Sequence, residues 1–88
     1  MGLKYDPSVQ DFIRGLAPAP KKAIRQALAH IADDPYHPEL AINILDTAGP
    51  ERMLRARVAN HYRIVYLVKP GHVYIRKVMH RSDGYRWL

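Results

Sequence analysis

The chain has 88 residues and a formal net charge of +6 at pH 7, and its length is that of one small domain. It contains no cysteine, which excludes disulfide bonds and thiolate chemistry. No apolar run approaches the roughly 20 residues of a membrane-spanning helix, and the first residues, MGLKYDPS, lack the apolar stretch of a signal peptide. These features predict a cytoplasmic protein that has one core and no membrane segment.

The positive charge is concentrated in the second half of the chain. Residues 1–50 contain five Lys or Arg against six acidic residues, a net charge of −1, whereas residues 51–88 contain nine against two, a net charge of +7. Seven of these nine are arginine, whose planar guanidinium binds phosphate or carboxylate through two parallel hydrogen bonds. Solubility alone does not require such confinement. We therefore expect an anionic partner, either nucleic acid or an acidic protein segment.

The first half of the chain predicts a short strand at residues 3–6 followed by two helices. Asp6 supplies a side-chain cap and Pro7 suits the first turn, so a helix is expected to begin there. Its apolar residues recur at helical spacing at Val9, Phe12, Ile13 and Leu16. Pro20 begins a second helix, which ends at residues 33–35, Asp-Asp-Pro. The short connection predicts an antiparallel helical hairpin.

The second half of the chain predicts strands. Residues 36–50 fit neither the helical nor the strand period, and we interpret them as a loop with a short helical or extended piece anchored by Leu45. After this loop the apolar period changes to two, which is typical of strands with one buried face. Three strands joined by tight turns are predicted at residues 53–58, 61–68 and 72–79. They form an antiparallel meander.

These elements predict a single α+β domain covering residues 1–88. Its N-terminal strand and antiparallel two-helix hairpin accompany an antiparallel four-stranded sheet, with both helices packed on one face. The other face has no helix to cover it and is expected to meet water. Strand alternation places Arg55 and Arg57 on that uncovered face, while Leu54 and Ala56 face the core.

Three strings in the basic half carry a family resemblance: LRARVANHYRIVYLV at residues 54–68, VYIRKVM at residues 73–79 and HRSDGY at residues 80–85. Their order, an R-x-R strand, a turn, a strand with Tyr-Arg, a further strand and a terminal His-Arg with a tyrosine, resembles the RelE/ParE superfamily of toxins from toxin–antitoxin pairs. The resemblance implies a RelE-like, microbial RNase-like fold for nearly the whole chain.

The resemblance also implies an activity and partners. RelE-like toxins are metal-independent, ribosome-dependent endoribonucleases that cut mRNA and inhibit translation, and a cognate antitoxin neutralises them. The implied partners are therefore the antitoxin, the ribosome and mRNA, without a membrane or a cofactor. ParE-like toxins share the fold but inhibit DNA gyrase and lack the catalytic tail. A catalytically inactive RNA-binding relative is a third alternative.

Matching positions carry the family's roles onto this chain. The resemblance implies catalytic roles for Arg63, Arg81, His80 and Tyr85. It places Arg55 and Arg57 on the family's basic strand, where they are predicted to bind RNA, and the basic residues Arg52 and Lys77 are further candidates for RNA binding. Two departures stand out: the link from Arg57 to Arg63 is one residue longer than in many relatives, and Met53 stands where some relatives have lysine.

The residue types suit RNA cleavage without a metal. The basic half offers only two carboxylates, Glu51 and Asp83, and its histidines, His61, His72 and His80, belong to different strands, so no metal site is predicted. Metal-free cleavage requires a base for the 2′-hydroxyl, stabilisation of the phosphorane charge and an acid for the 5′-oxygen.

Arginines supply the phosphate contacts in this hypothesis, and two other residues compete for the proton transfers. Tyr85 is the first candidate for the base, because neighbouring guanidinium groups lower a tyrosine pKa. His80 or an arginine is the candidate acid. In the alternative interpretation, Tyr85 packs with Trp87 and only fixes the tail. His30 and His37 are interpreted as ordinary helix and loop residues.

Overall fold

A computed structural model describes residues 2–46 and 52–83 of the chain. The described strands and helices are β1 (Gly2–Tyr5), α1 (Pro7–Arg14), α2 (Pro18–Asp33), a short 3-10 helix (Pro38–Leu40), β2 (Asn43–Asp46), β3 (Arg52–Val58), β4 (Tyr62–Lys69) and β5 (His72–His80). No helix within these residues is long and apolar enough to cross a membrane.

The five strands form one sheet in the order β1-β5-β4-β3-β2, which confirms the predicted α+β class. Two details differ from the prediction. The sheet has five strands rather than four, and β1 pairs with β5 in parallel, while every other pair is antiparallel. Parallel pairing requires a long crossover between partners, and the two helices lie within the connection from β1 to β5.

The fifth strand is β2, which lies in the segment that the sequence left ambiguous. Ile44 pairs with Leu54 of β3, but the register shifts before Asp46 pairs with Met53. Such an irregularity interrupts the alternation that identifies a strand from sequence. Ile44 is also 53% exposed, as befits a residue on an edge strand. Leu45, the expected anchor, lies within β2, and its side chain is outside the described part of the structure.

Helix α1 begins as the sequence predicts. Asp6 is its N-cap: one carboxylate oxygen, Oδ1, accepts hydrogen bonds from the Ser8 backbone N at 2.9 Å and the Ser8 hydroxyl at 2.7 Å. The other oxygen, Oδ2, accepts a hydrogen bond from the Tyr74 hydroxyl at 3.2 Å. The hydrogen bonds from Ser8, above all that of its hydroxyl, lower the pKa of Asp6. The charged carboxylate is therefore the form that the folded protein favours.

We expect Asp6 to make part of the stability dependent on pH. A carboxyl whose pKa is lower in the folded state contributes stability above its unfolded pKa, about 3.9, and loses it as pH falls through the folded value. The Asp6→Ala variant should therefore unfold at a lower temperature at neutral pH, with a smaller difference from wild type in strong acid. Thermal unfolding between pH 2 and 7 measures both. Asp6→Asn keeps a capping oxygen and should fall between the two proteins at neutral pH.

The core lies between the helices and one face of the sheet. Helix α2 begins at Pro18, two residues before the predicted start, because proline fits the first turn of a helix. The helices contribute an apolar stripe of Val9, Ile13, Ile24, Ala27, Leu28 and Ile31. The sheet contributes residues from its three central strands, which alternate along β3 and β4 and shift by one position after Ile75 in β5: Leu54, Ala56, Val58, Ile64, Tyr66, Val73, Ile75 and Val78. The alternation predicted for β3 is therefore confirmed.

A hydrogen bond from Tyr66 connects the loop after α2 to the central strand of the sheet. The Tyr66 side chain is fully buried, and its hydroxyl donates a hydrogen bond of 2.6 Å to the carbonyl oxygen of Pro35, which is itself buried. Burial raises the pKa of Tyr66 well above its usual range, so the hydroxyl remains a donor.

The Tyr66→Phe variant should lose about 1–3 kcal/mol of unfolding free energy, because it leaves a buried carbonyl without a donor while keeping the ring. Urea denaturation measures this loss. The Tyr62→Phe variant is the control, since that tyrosine is only half-buried and its hydroxyl should contribute little. An equal loss in both variants would contradict a specific role of the Tyr66 hydroxyl.

Candidate nucleic-acid interface

The sheet face opposite the helices carries two rows of cationic side chains. We call it the open face and define it by Arg55, Arg57, Arg63, Val65, Lys77 and Met79. In one row, Arg57 pairs with Arg63, which pairs with Met79. In the next row, Arg55 pairs with Val65, which pairs with Lys77. Four cations from three adjacent strands therefore share one surface.

An apolar floor lies between these cations. Val65 is 0% exposed and Met79 is 2% exposed, yet neither belongs to the cluster that forms the core. Each is paired across the sheet with at least one basic residue. Charges beside an apolar surface act on an anion more strongly than charges surrounded by water. The open face is thus suited to binding phosphate.

A bulge in β5 determines which residues of this strand reach the open face. Val65 pairs with Lys77 but Tyr66 pairs with Ile75, so Arg76 has no opposite residue in the ladder. Both Ile75 and Val78 belong to the core. Strict alternation from Ile75 would have turned Lys77 and Met79 toward the helices. The extra residue of the bulge shifts the alternation by one position, so both side chains lie on the open face instead.

The same bulge places His80 on the helix side of the sheet. His80 pairs with Tyr62, and their rings meet edge to face with centroids 5.6 Å apart. The Tyr62 ring also meets Phe12 of α1 edge to face, and the centroids of these two rings are 6.3 Å apart. The Nδ1 atom of His80 also lies within hydrogen-bonding distance of the Ser82 hydroxyl, at 2.9 Å. The structure therefore does not bring His80 together with Arg63.

Arg81 lies at the end of the open face that Arg57 and Arg63 occupy. Its backbone N donates to the carbonyl oxygen of His61 at 2.7 Å, and its Nη1 donates to that of Asn60 at 3.4 Å. Both acceptors belong to the turn between β3 and β4, whose residues Ala59 and Asn60 adopt positive φ angles of 52° and 61°. This turn joins the strand of Arg57 to that of Arg63, so Arg81 is held next to their row.

The remaining predicted residues lie elsewhere. Arg52 pairs with Val68, which packs against the core, so Arg52 begins β3 on the helix side and at the far end of the strand. It is exposed and separate from the open face. Tyr85, the candidate base, lies outside the residues that the structure describes. On the open face itself, the Nη1 atom of Arg63 donates a hydrogen bond to the Tyr62 carbonyl oxygen at 2.9 Å.

The open-face arginines of β3 are not neutralised by described acidic residues. Within residues 2–46 and 52–83, no carboxylate forms an ion pair with Arg55 or Arg57. Two of the acidic residues pair elsewhere, Asp11 with Arg14 at 3.5 Å and Glu39 with His30 at 3.8 Å. Sequence reasoning did not identify the apolar floor. The sequence does indicate part of it: residues two apart in a strand lie on the same face, so Val65 must share the face of Arg63.

Comparisons with known proteins agree with this architecture. A family model described as the ParE toxin of the type II toxin–antitoxin system, parDE, matches residues 3–85. A comparison with curated protein sequences finds no significant match.

Several solved structures have a similar fold. The archaeal RelE–RelB complex from Pyrococcus horikoshii has a TM-score of 0.83 at 20% identity, over 92% of this chain and 94% of that one. The isolated RelE toxin from E. coli has a TM-score of 0.67 at 20% identity, over 98% and 92%. The intact RelBE complex from E. coli has a TM-score of 0.63 at 22% identity, over 88% and 92%. At these identities the likeness concerns the fold alone.

Proposed function

We propose that this chain, which belongs to the family of ParE toxins of type II toxin–antitoxin systems within the RelE/ParE superfamily, acts as a RelE-like, metal-independent endoribonuclease. In this proposal it cuts mRNA on the ribosome in the cytoplasm and so inhibits translation. The observation that carries the proposal is the row formed by Arg57 and Arg63 on the open face, with Arg81 held at its end.

The two rows of the open face suit a single-stranded backbone. Arg57 and Arg63 are cross-strand neighbours, so their guanidinium groups can hold one phosphate from two sides and stabilise the charge of the phosphorane. Arg55 and Lys77 belong to the next row, about 7 Å away along the strands. This second row binds the adjacent part of the RNA backbone.

Arg81 and Tyr85 complete the proposed chemistry. Since His80 faces the helices, Arg81, held beside the row of Arg57 and Arg63, is the remaining candidate for stabilising the leaving 5′-oxygen, which takes its proton from water. The base that accepts the 2′-hydroxyl proton is Tyr85, as the family resemblance implies. Cationic neighbours favour the tyrosinate form that this role requires.

The Tyr85→Phe variant should cleave mRNA at least about tens-fold more slowly, in line with the contribution of a general base, while RNA binding is preserved because the ring and the arginines remain. Primer extension on an mRNA during in vitro translation measures cleavage, and filter binding measures affinity. An unchanged cleavage rate would remove Tyr85 from the mechanism.

In vitro translation with primer extension also tests the function as a whole. Wild-type protein should give new mRNA ends only when ribosomes are present, and the Arg81→Ala variant should give far fewer. RNA binding that weakens with salt but yields no cleaved product would indicate a non-catalytic RNA-binding protein instead.

A second candidate function is inhibition of DNA gyrase, and the match to the ParE family model favours it. The two activities stop different processes first. Pulse labelling after induction distinguishes them: an early fall in amino-acid incorporation supports the nuclease, whereas an early fall in thymidine incorporation supports gyrase inhibition.

The proposed partner in either case is a cognate antitoxin. Two of the structures named above are complexes: RelE with RelB from P. horikoshii, and the intact RelBE toxin–antitoxin complex from E. coli. For this chain we propose a segment that is acidic and partly apolar, whose carboxylates pair with the cations of the open face. Such a segment folds as it binds and shields the arginines.

A further inference from the structure

Two histidines and a glutamate converge where α2 ends. Each of His30, His37 and Glu39 offers one ligand atom, and these three atoms all lie within 4.8 Å of one another. The His30 Nε2 atom is 3.8 Å from the Glu39 Oε2 atom, and the ring centroids of His30 and His37 are 4.7 Å apart. We propose that these three side chains form a binding site for zinc, separate from the open face.

The backbone around this site is already ordered by hydrogen bonds. The Asp34 backbone N donates to the His30 carbonyl oxygen at 2.8 Å, and the His37 backbone N donates to the Asp34 carbonyl oxygen at 3.0 Å. Pro35 is held by Tyr66, as described above, and Leu40 is only 2% exposed. The loop ligands therefore lie between two buried anchors, so binding an ion costs little ordering of the chain.

The ligand atoms must come closer to hold an ion. Zinc binds nitrogen and oxygen at about 2.0–2.2 Å in a tetrahedral arrangement, which places the ligand atoms about 3.3 Å apart. The side chains of His30 and Glu39 are 44% and 73% exposed, so rotation about their own bonds supplies the movement. In His37, Nδ1 accepts a hydrogen bond from the Glu39 backbone N at 3.1 Å. An ion bound at this nitrogen replaces that hydrogen bond.

The donor set selects the class of metal. Two imidazoles and a carboxylate suit zinc and its neighbours in the first transition series, whereas magnesium and calcium prefer oxygen ligands only. The position of His30 in the last turn of α2 also favours a cation, because the helix dipole is negative there. Three protein ligands leave the fourth position to water.

The bound ion would cross-link the end of α2 to the segment that leads into β2. Arg57 lines the cavity that His30 and Glu39 also border. The site is therefore next to one end of the open face, although its ligands are not part of it. Its effect on stability can be measured without any assay of toxicity.

Titration of the untagged full chain with zinc chloride tests the proposal. We expect one zinc ion per chain by calorimetry, and a rise in melting temperature of about 10–20 °C when free zinc is a hundred times its Kd. EDTA should reverse the rise, and magnesium at the same concentration should produce none. Absence of zinc binding, or binding without the rise, would overturn the proposal.

Variants locate the ion. His30→Gln and Glu39→Gln should each weaken zinc binding at least tenfold, and His37→Asn should do the same while keeping an acceptor for the Glu39 amide. The matched control is His72→Gln at the start of β5, which should bind zinc like the wild type. Wild-type affinity in all three site variants, or a loss confined to the control, would place the ion elsewhere and overturn the proposal.

Discussion

Replacing Arg63 with glutamine should lower the rate of RNA cleavage by about 100-fold or more, the usual cost of removing one preorganised donor from a developing charge. Arg63 occupies the central strand of the open face, between Arg57 on β3 and Met79 on β5. Its loss leaves the scissile phosphate with cations from one side only. Glutamine keeps much of the side-chain length, so the fold should remain intact. Single-turnover cleavage during in vitro translation measures the effect.

The matched control is Arg25→Gln, which removes the same charge from the exposed surface of α2. Cleavage by this variant should stay within about twofold of wild type, because Arg25 is exposed to solvent on a helix behind the sheet, and salt screens the interactions of exposed charges. Melting temperatures should be similar for all three proteins. Cleavage by Arg63→Gln at the wild-type rate would show that the open face does not hold the reacting phosphate.

The largest loss of stability should follow from truncating Leu54 at the centre of the sheet. Leu54 is 0% exposed and pairs with Ile44 on one side and with Tyr66 on the other. Leu54→Ala should cost about 3–4 kcal/mol, because it removes buried methyl groups and leaves a cavity. A small domain has about 5–15 kcal/mol of stability in total. Urea denaturation should therefore show a much lower midpoint.

Met53 provides the control for this loss on the same strand. It is the adjacent residue, and its side chain is only half-buried, on the opposite face of β3. Met53→Ala should cost less than half as much as Leu54→Ala, since less apolar surface is removed from the interior. Equal losses in the two variants would contradict the assignment of these residues to different faces.

The sequence predicted that Arg55 and Arg57 share one face, because the two-residue period of a strand is enough to assign each residue of β3 to a face. Leu54 and Ala56 alternate with Arg55 and Arg57 without interruption, so the face of each follows from counting by two. Asp6 likewise shows the start of α1, because capping depends only on neighbours in the chain. The family resemblance was carried by the order of such local signals, and the match of the family model to residues 3–85 confirms it.

What the sequence did not predict depends on irregular or long-range pairing. The bulge at Arg76 contains no glycine or proline that would mark it, yet it decides that Lys77 lies on the open face and His80 faces the helices. The strand β2 was hidden by a register shift of its own. The cluster of His30, His37 and Glu39 arises because a helix end and a loop meet in space, which no spacing rule describes.

The parallel pairing of β1 with β5 has a consequence for biosynthesis. In the described sheet, β1 has a single neighbour, and Gly2 pairs with His72 far along the chain. During translation the first strand therefore leaves the ribosome long before its partner exists. The β3–β4 and β4–β5 hairpins can form by local contacts, but β1 cannot pair with β5 until synthesis is nearly complete. A nascent chain thus reaches its finished shape late, and a growing fragment shorter than 72 residues has an unpaired N-terminal edge.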